Sequence, residues 1–323
     1  MQRLYLRRAR VEIGQSIGSE EVVVMPGTLR VAFDVTKTWT SQPNRLVCRI
    51  YNLNRDSRAW IDSPGNIITV RAGYADDVPE DDDLYSSSLP IISRADVTHS
   101  FHRRTGADFI TTIQGGEGEV GYRVGFVNEK MEPGISIEKV FDRLKDTFEE
   151  AQAGVIAGTL VDRGFSVVPF FDDVIKKATV EAKAKHLAKT TASYSKYFMN
   201  GLTLYGFARD IMDKLAERHD LIWFFDNNVL TVSRIRDALE VVDSAPWGPN
   251  NGVQGIPQRL ENKSIKVTNN LTPVIMPWSE QTLKMQIDTN KTLNGKYKVY
   301  RVQHTGDTDP SGLWTSKWEA FGV

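Results

Sequence analysis

Apolar side chains recur at every second position through Arg30–Leu53, RVAFDVTKTWTSQPNRLVCRIYNL. Val31, Phe33 and Val35 alternate with Arg30, Ala32, Asp34 and Thr36, the two-residue period of a strand with one face on a core. This first strand is predicted to end near Lys37. Ser41, Pro43 and Asn44 then supply a turn, because proline fixes φ and lacks an N–H while Asn bonds its own backbone. The second strand sets Leu46, Cys48 and Ile50 on one side and Val47, Arg49 and Tyr51 on the other, until Asn52 and the polar run Asn54–Ser57 stop it. Apolar groups on both faces predict a contact on each side. The pair reads as a hairpin inside a barrel or sandwich.

The same period recurs on either side of this hairpin. Tyr5, Ala9, Val11 and Ile13 share one face of an opening strand, and further strands are predicted over Asn66–Tyr74, Leu89–Arg104 and Asp108–Gln114. From Met131 the period changes. Ile137, Val140, Phe141, Leu144 and Phe148 form a helical stripe after Pro133, Gly134 and Ser136. A second, more exposed helix is expected over the Ala- and Lys-rich stretch Asp172–Thr190. A third is expected over Thr203–His219, burying Leu204, Phe207, Ala208, Ile211, Met212, Leu215 and Ala216. Leu221–Phe225 and Val229–Val232 flank Asp226, Asn227 and Asn228, a tight hairpin signal. Residues 233–263 carry the Pro, Gly and Asn of a linker. Strand patterning then returns over Ser264–Thr268, Thr282–Asp288, Lys296–His304 and Leu313–Phe321. That last unit is too small to bury an independent core and is expected to share one.

The reading is therefore an α+β, mainly β chain, with a β unit over 1–125, a small α/β unit with a helical insert and linker over 126–250, and a second β unit over 251–323. A length of 323 residues agrees with two or three domains. Forty basic against forty-one acidic residues leave no overall charge to draw a nucleic acid, and no apolar run is long enough to span a bilayer. The N-terminus lacks the apolar segment of a secretory signal, so export by that route is not expected. A single cysteine, Cys48, excludes an intrachain disulfide and a thiolate metal cage.

Candidate chemistry is sparse. His99 and His102, three apart in a predicted strand, point to opposite faces and do not converge on a metal, while His186, His219 and His304 are scattered. His219 closes a helix, where an imidazolium suits the dipole. Gly115, Gly116 and Gly118 lack the spacing and the lysine of a phosphate cradle and read as a turn. Glu149 and Glu150 are adjacent on a helix, about 100° apart, and would not flank one bond. No catalytic, cofactor or metal residue is assigned. The acidic run Asp76, Asp77, Glu80, Asp81, Asp82 and Asp83 lacks a calcium loop's alternation and reads as a solvated hairpin tip, with a docking or ion-repelling surface as the alternative. Trp314 and Trp318 share a strand face near Tyr297, Tyr300 and Phe321; they read as core of the last β unit, with an intersubunit contact as the alternative.

FDVTKTWTSQPNRLVCRIYNL and the ending RVQHTGDTDPSGLWTSKWEA, with His304, Gly306, Asp307, Thr308 and Trp314, resemble motifs of the baseplate hub proteins of contractile-tailed bacteriophages. ITVRAGY and the Arg94-containing strand leading to DFITTIQGGE follow in the family's order. Ser93 stands where that family has glycine, Gly115–Gly116 replaces an acidic–glycine pair, and Ala153–Asn200 has no counterpart. The resemblance implies two tail-tube-like β-barrel domains flanking the α/β domain. It also implies a homotrimer whose pseudo-sixfold ring joins the tail tube to the central spike in the virion's tail baseplate. Tape-measure and wedge proteins are further implied neighbours, DNA passes only through the lumen, and no enzyme, cofactor or membrane is involved. Such an adaptor buries sheet edges and apolar faces against its neighbours, which would employ Val47, Tyr51, Tyr300, Trp314 and Trp318 at an interface and place the acidic run at the lumen or its rim. The alternatives are a hub of a phage-like contractile injection system, or a carbohydrate-binding or wall-hydrolysing tail protein. The last would need exposed aromatics on one surface and a convergent carboxylate pair.

Overall fold

A computed structural model describes residues 7–15, 20–24, 27–74, 89–155, 197–234, 246–261, 264–285 and 293–323. The chain begins with β1 (Arg7–Gly14), β2 (Glu20–Val24), β3 (Val31–Thr38), β4 (Arg45–Tyr51), α1 (Arg55–Ile61), β5 (Ile67–Tyr74), β6 (Ile91–Thr105) and β7 (Asp108–Gly116). A middle unit follows: α2 (Glu119–Val124), β8 (Phe126–Met131), β9 (Ile135–Ser136), α3 (Ile137–Val155), β10 (Tyr197–Phe198), β11 (Leu202–Phe207), α4 (Ala208–Arg218), β12 (Leu221–Asp226) and β13 (Val229–Arg234). The chain closes with β14 (Gln258–Arg259), β15 (Ile265–Asn270), β16 (Glu280–Leu283), β17 (Gly295–Asp307) and β18 (Trp314–Gly322).

One antiparallel sheet of 12 strands takes in both ends of the chain, in the order β14-β15-β18-β17-β3-β4-β7-β6-β5-β1-β2, with β16 beside β17. The mainly β, largely antiparallel architecture matches the alternation read in the sequence. The hairpin β3–β4 sits at its centre, pairing Val31 with Ile50, Phe33 with Cys48 and Val35 with Leu46. All six side chains are buried. Two cores lie against this sheet. One gathers Val11, Ile13, Phe33, Leu46, Ile50, Ile68, Ile113 and Trp314, and the other gathers Ile265, Val267, Val299, Val302 and Trp318. The last strands thus share a sheet with the first, which is how so short a unit is stabilised.

The middle unit has its own core, in which Val140, Phe141, Leu144 and Phe148 of α3 meet Met212 of α4, Leu204 of β11 and Trp223 and Phe225 of β12. The turn between β12 and β13 places Asn227 and Asn228 at φ 53° and 63°, the left-handed pair that a two-residue hairpin loop requires. Among the described residues no helix is long and apolar enough to cross a membrane.

Several expectations are corrected. The helix expected over Thr203–His219 begins at Ala208. Leu202–Phe207 is a strand paired with β8, Gly206 has φ 129°, Leu204 enters the core from that strand, and Phe207 is 40% exposed. Leu204 lies four residues before Ala208, so a strand residue extended the helical period by coincidence. The polar run after Leu53 does not merely stop a strand: Asn54 Oδ1 accepts from the Ser57 N–H at 2.7 Å and caps α1. The glycine cluster ends in a left-handed Gly118 from which α2 starts. At His219 burial, followed by the Arg218 charge, pushes the imidazole below its usual range and so disfavours the charged form; its main-chain N–H caps the Ala216 and Leu215 carbonyls. The helix expected over Asp172–Thr190, His186, and the acidic residues 76–83 lie outside the described residues.

Candidate assembly surface

The closing motif lies on the seam between β17 and β3. Gly306 pairs with Phe33, and a Cβ at Gly306 would lie 2.2 Å from Phe33 Cζ. Only a bare backbone admits the ring there. Asp307 accepts from Arg30 Nε at 3.1 Å and Nη2 at 2.8 Å, and that guanidinium lies 4.6 Å from the Tyr51 ring. This hydrogen bond and the surrounding charge raise the Arg30 pKa. Thr308 Oγ1 accepts from the Val31 N–H at 2.9 Å. Arg7 donates to the Gly312 carbonyl at 2.8 Å, 305 positions away, and sits over Trp314. His304 is buried with Nδ1 2.8 Å from Ser316 Oγ; burial first, and then the Lys37 charge, push its pKa down to about 3. The His304–Trp314 motif is therefore part of the seam between the last strands and β3.

A second junction ties the sheet to the middle unit. Lys37 lies in phase with Val31, Phe33 and Val35 and so points inward, its side chain 3% exposed. Its Nζ is 2.5 Å from Asp226 Oδ1, 2.9 Å from Asn227 Oδ1 and 3.2 Å from Glu117 Oε1. Glu117, with no exposed side chain, also accepts from Ser93 Oγ at 2.7 Å, Asn44 Nδ2 at 3.0 Å and the Asn227 N–H at 3.0 Å. Asn44 donates further to the Phe225 carbonyl at 2.6 Å, and Asn228 Oδ1 accepts from the Gly118 N–H at 2.7 Å. Burial alone would lower the Lys37 pKa, but Asp226 and Glu117 outweigh it and raise it; burial raises that of Glu117 despite Lys37. The sequence reading missed this cluster, in which Ser93 supplies one of the donors.

Away from the cores, alternate residues of β17, β3, β4, β7 and β6 share a face with a groove of about 590 Å³. Val47 is its buried floor; Asp34, Arg45, Arg49, Phe101, Arg103 and Leu313 stand around it. Tyr51 lies on this face beneath Arg30. Tyr300 stacks on Phe321 at 4.5 Å and donates to Glu319 at 2.9 Å. Trp314 and Trp318 are 4% and 0% exposed inside the chain's own cores, so they have no free ring surface for a partner in this fold. His102 meets Thr111 and Asp62, whereas His99 lies beside Phe101. Glu150 pairs with Arg143 at 3.1 Å. Cys48 is buried, which pushes its thiol up to about 12. Among the described residues no three His, Cys, Asp or Glu side chains cluster as metal ligands.

No protein-family model and no curated protein matches the sequence. In structure the chain is similar to the tail protein from Neisseria meningitidis MC58, with a TM-score of 0.57 at 7% identity over 98% of this chain and 96% of that one. It is similar in the same degree to the 43 kDa tail protein of prophage MuSo2 from Shewanella oneidensis, TM-score 0.57 at 9% identity, covering 98% of each. A third similar structure, TM-score 0.50 at 10% identity over 91% of this chain and 73% of that one, is an E. coli type VI secretion component described as similar to T4 bacteriophage tail proteins. At these identities the likeness is one of fold. This chain has the fold of those tail proteins along nearly its whole length.

Proposed function

We propose that this chain is a non-enzymatic structural subunit of a phage tail, a baseplate hub whose three copies close a pseudo-sixfold ring between the tail tube and the central spike. The observation that carries the reading is the single sheet through both chain ends, in a fold shared end to end with tail proteins. In this proposal the two cores beneath the sheet act as two tube-like barrels per chain, so that three chains present six to the tube. Among the described residues the terminal strands of the sheet path, β2 and β14, each pair with one strand, which leaves an edge on each for another copy or the tube protein to continue. The polar face around Val47 suits a wet lumen wall or a neighbour's polar rim. Tape-measure and wedge proteins would be outer neighbours, and DNA would meet the ring only in passage.

A hub of a contractile injection machine is the second reading, supported by the similarity to a type VI secretion component. Capsid genes beside this one would favour the phage, toxin genes the injection machine. The shared proposal is tested by measuring the mass of the purified chain, alone and with its tube and spike proteins, and imaging the product. A trimer with a central hole is expected. A monomer that neither closes a ring nor joins tube or spike would overturn it.

A further inference from the structure

The ribbon β8–β11 covers the middle core with one face and leaves the other in water. Phe126 pairs with Phe207 and Asn128 with Tyr205, so their side chains share the outer face. The Phe126 ring lies 5.5 Å from Tyr205 and 5.8 Å from Phe207. These rings are 49%, 70% and 40% exposed. At about 200 Å² per aromatic side chain, roughly 300 Å² of ring surface faces solvent, the size of a functional patch but well short of the roughly 800 Å² a partner buries in a stable complex. The remainder must be polar. The rim carries two cations: Lys130, which makes no ion pair among the described residues, and Arg209, which lies over Phe207 with Asp210 3.4 Å away. Two copies apposed through this face would bring like charges together, so the contact is not isologous.

A complementary face exists on the same chain. On α3, Glu138, Asp142 and Asp146 are exposed at i, i+4 and i+8, with Lys139 exposed beside the first of them, and the three carboxylates make no ion pair among the described residues. The stripe is about 12 Å long, and the ribbon face from Phe126 to Lys130 spans about 13 Å. Both faces point away from the core that α3 and the ribbon share, so one chain cannot bring them together.

We propose that copies of this chain associate head to tail through their middle units, the acidic face of α3 on one copy lying across the aromatic, basic-rimmed face of β8–β11 on the next. The inference rests on the ring reading above and names one of its contacts. A heterologous contact of this kind repeats around a closed ring. Tyr205 anchors it, its hydroxyl donating to a carboxylate of the stripe.

The test uses the full chain. Its only cysteine, Cys48, is buried and leaves little background for cross-linking. Tyr205→Cys and Asp142→Cys are made singly and together, oxidised at micromolar concentration and run without reductant, with the mass of each measured by light scattering. The double variant is expected to give a covalent ladder ending at the closed ring, and the singles no more than the parent. In a second arm Lys130→Glu, or Asp142→Lys with Asp146→Lys, weakens association at least tenfold with an unchanged circular dichroism spectrum, and combining both sets in one chain restores it. Cross-linking by Tyr205→Cys alone would overturn the proposal, because it reports an isologous contact. A ring by mass that the double cysteine variant fails to cross-link overturns this contact and leaves the ring reading standing. A parent chain that is monomeric alone, and also fails to join tube and spike, overturns both.

Discussion

Removing the Lys37 ammonium leaves a buried carboxylate with nothing to neutralise it, so Lys37→Met measures what the junction between sheet and middle unit contributes. Nζ lies within 3.2 Å of Glu117 and 2.5 Å of Asp226, and the Glu117 side chain has no exposed surface while Asp226 keeps 21%. Breaking a buried pair from one side costs roughly 3–5 kcal/mol, far more than the pair contributes against an apolar replacement. At about 2–4 °C per kcal/mol for units of this size, Tm should fall by roughly 6–20 °C. The triple variant Lys37→Met, Glu117→Gln, Asp226→Asn removes the stranded charges and should recover most of the loss. Glu117 already has a raised pKa in the folded chain. In Lys37→Met the loss of the neighbouring positive charge should raise it further, so the destabilisation should shrink as pH falls. Urea melts followed by fluorescence, with hydrogen exchange at Asp226–Asn228, read both the magnitude and its place. A loss below about 1 kcal/mol, or no recovery in the triple variant, would refute the reasoning.

His304 has its folded pKa pushed down to about 3, so the unfolded chain binds the proton more tightly. Its contribution is full above about pH 6.5 and is lost as pH falls towards 3, at up to about 1.4 kcal/mol per pH unit, and His304→Gln should flatten the urea midpoint between pH 7 and pH 4.5. Glu117 works in the opposite sense. Its raised pKa adds stability below about pH 4.5 that is lost as pH climbs through its folded value, so the net acid profile should steepen in Glu117→Gln. Gly306→Ala should cost roughly 1–3 kcal/mol in the same melts, because its methyl meets the Phe33 ring, and Phe33→Leu should lessen the further cost of that methyl. Asn228→Ala loses the Gly118 N–H acceptor and a left-handed position, and should cost roughly 2 kcal/mol, with Asn228→Gly costing less.

Local patterning was enough for the hairpin β3–β4, because Val31, Phe33 and Val35 face Ile50, Cys48 and Leu46 with polar residues between them. It was also enough for the Asn227–Asn228 turn, where the residue type and the left-handed backbone coincide. It misplaced the start of α4, because Leu204 satisfies both a strand face and a helical stripe four residues later. It could not supply the pairing of β17 with β3, since nothing local to His304 states that Val35 is its partner. Lys37 was legible and passed over. Its parity with Val31, Phe33 and Val35 puts a charge on the buried face, and that anomaly is the signal for a polar junction behind the strand. Val47 and Tyr51 lie on the second face of β4, at the groove and beneath Arg30; Trp318 is core of the last β unit, as read, while Trp314 joins the core under the first strands.

Among the described residues the buried charged side chains, Glu12 apart, gather at one place. Lys37, Glu117 and Asp226 meet where β3, the segment after β7 and the β12–β13 turn converge, and His304 stands on the strand next to Lys37. Packing apolar groups there would stabilise the chain as well or better, yet would tolerate many angles between sheet and middle unit. Hydrogen bonds of defined length and direction admit few. In a ring whose copies touch through both sheet and middle unit, an error in that angle would be repeated at every subunit and would keep the ring from closing. In the proposed ring the polar junction would be a device for fixing orientation at some cost in stability. On this argument the triple variant, although nearly as stable as the parent, should assemble less completely than it folds.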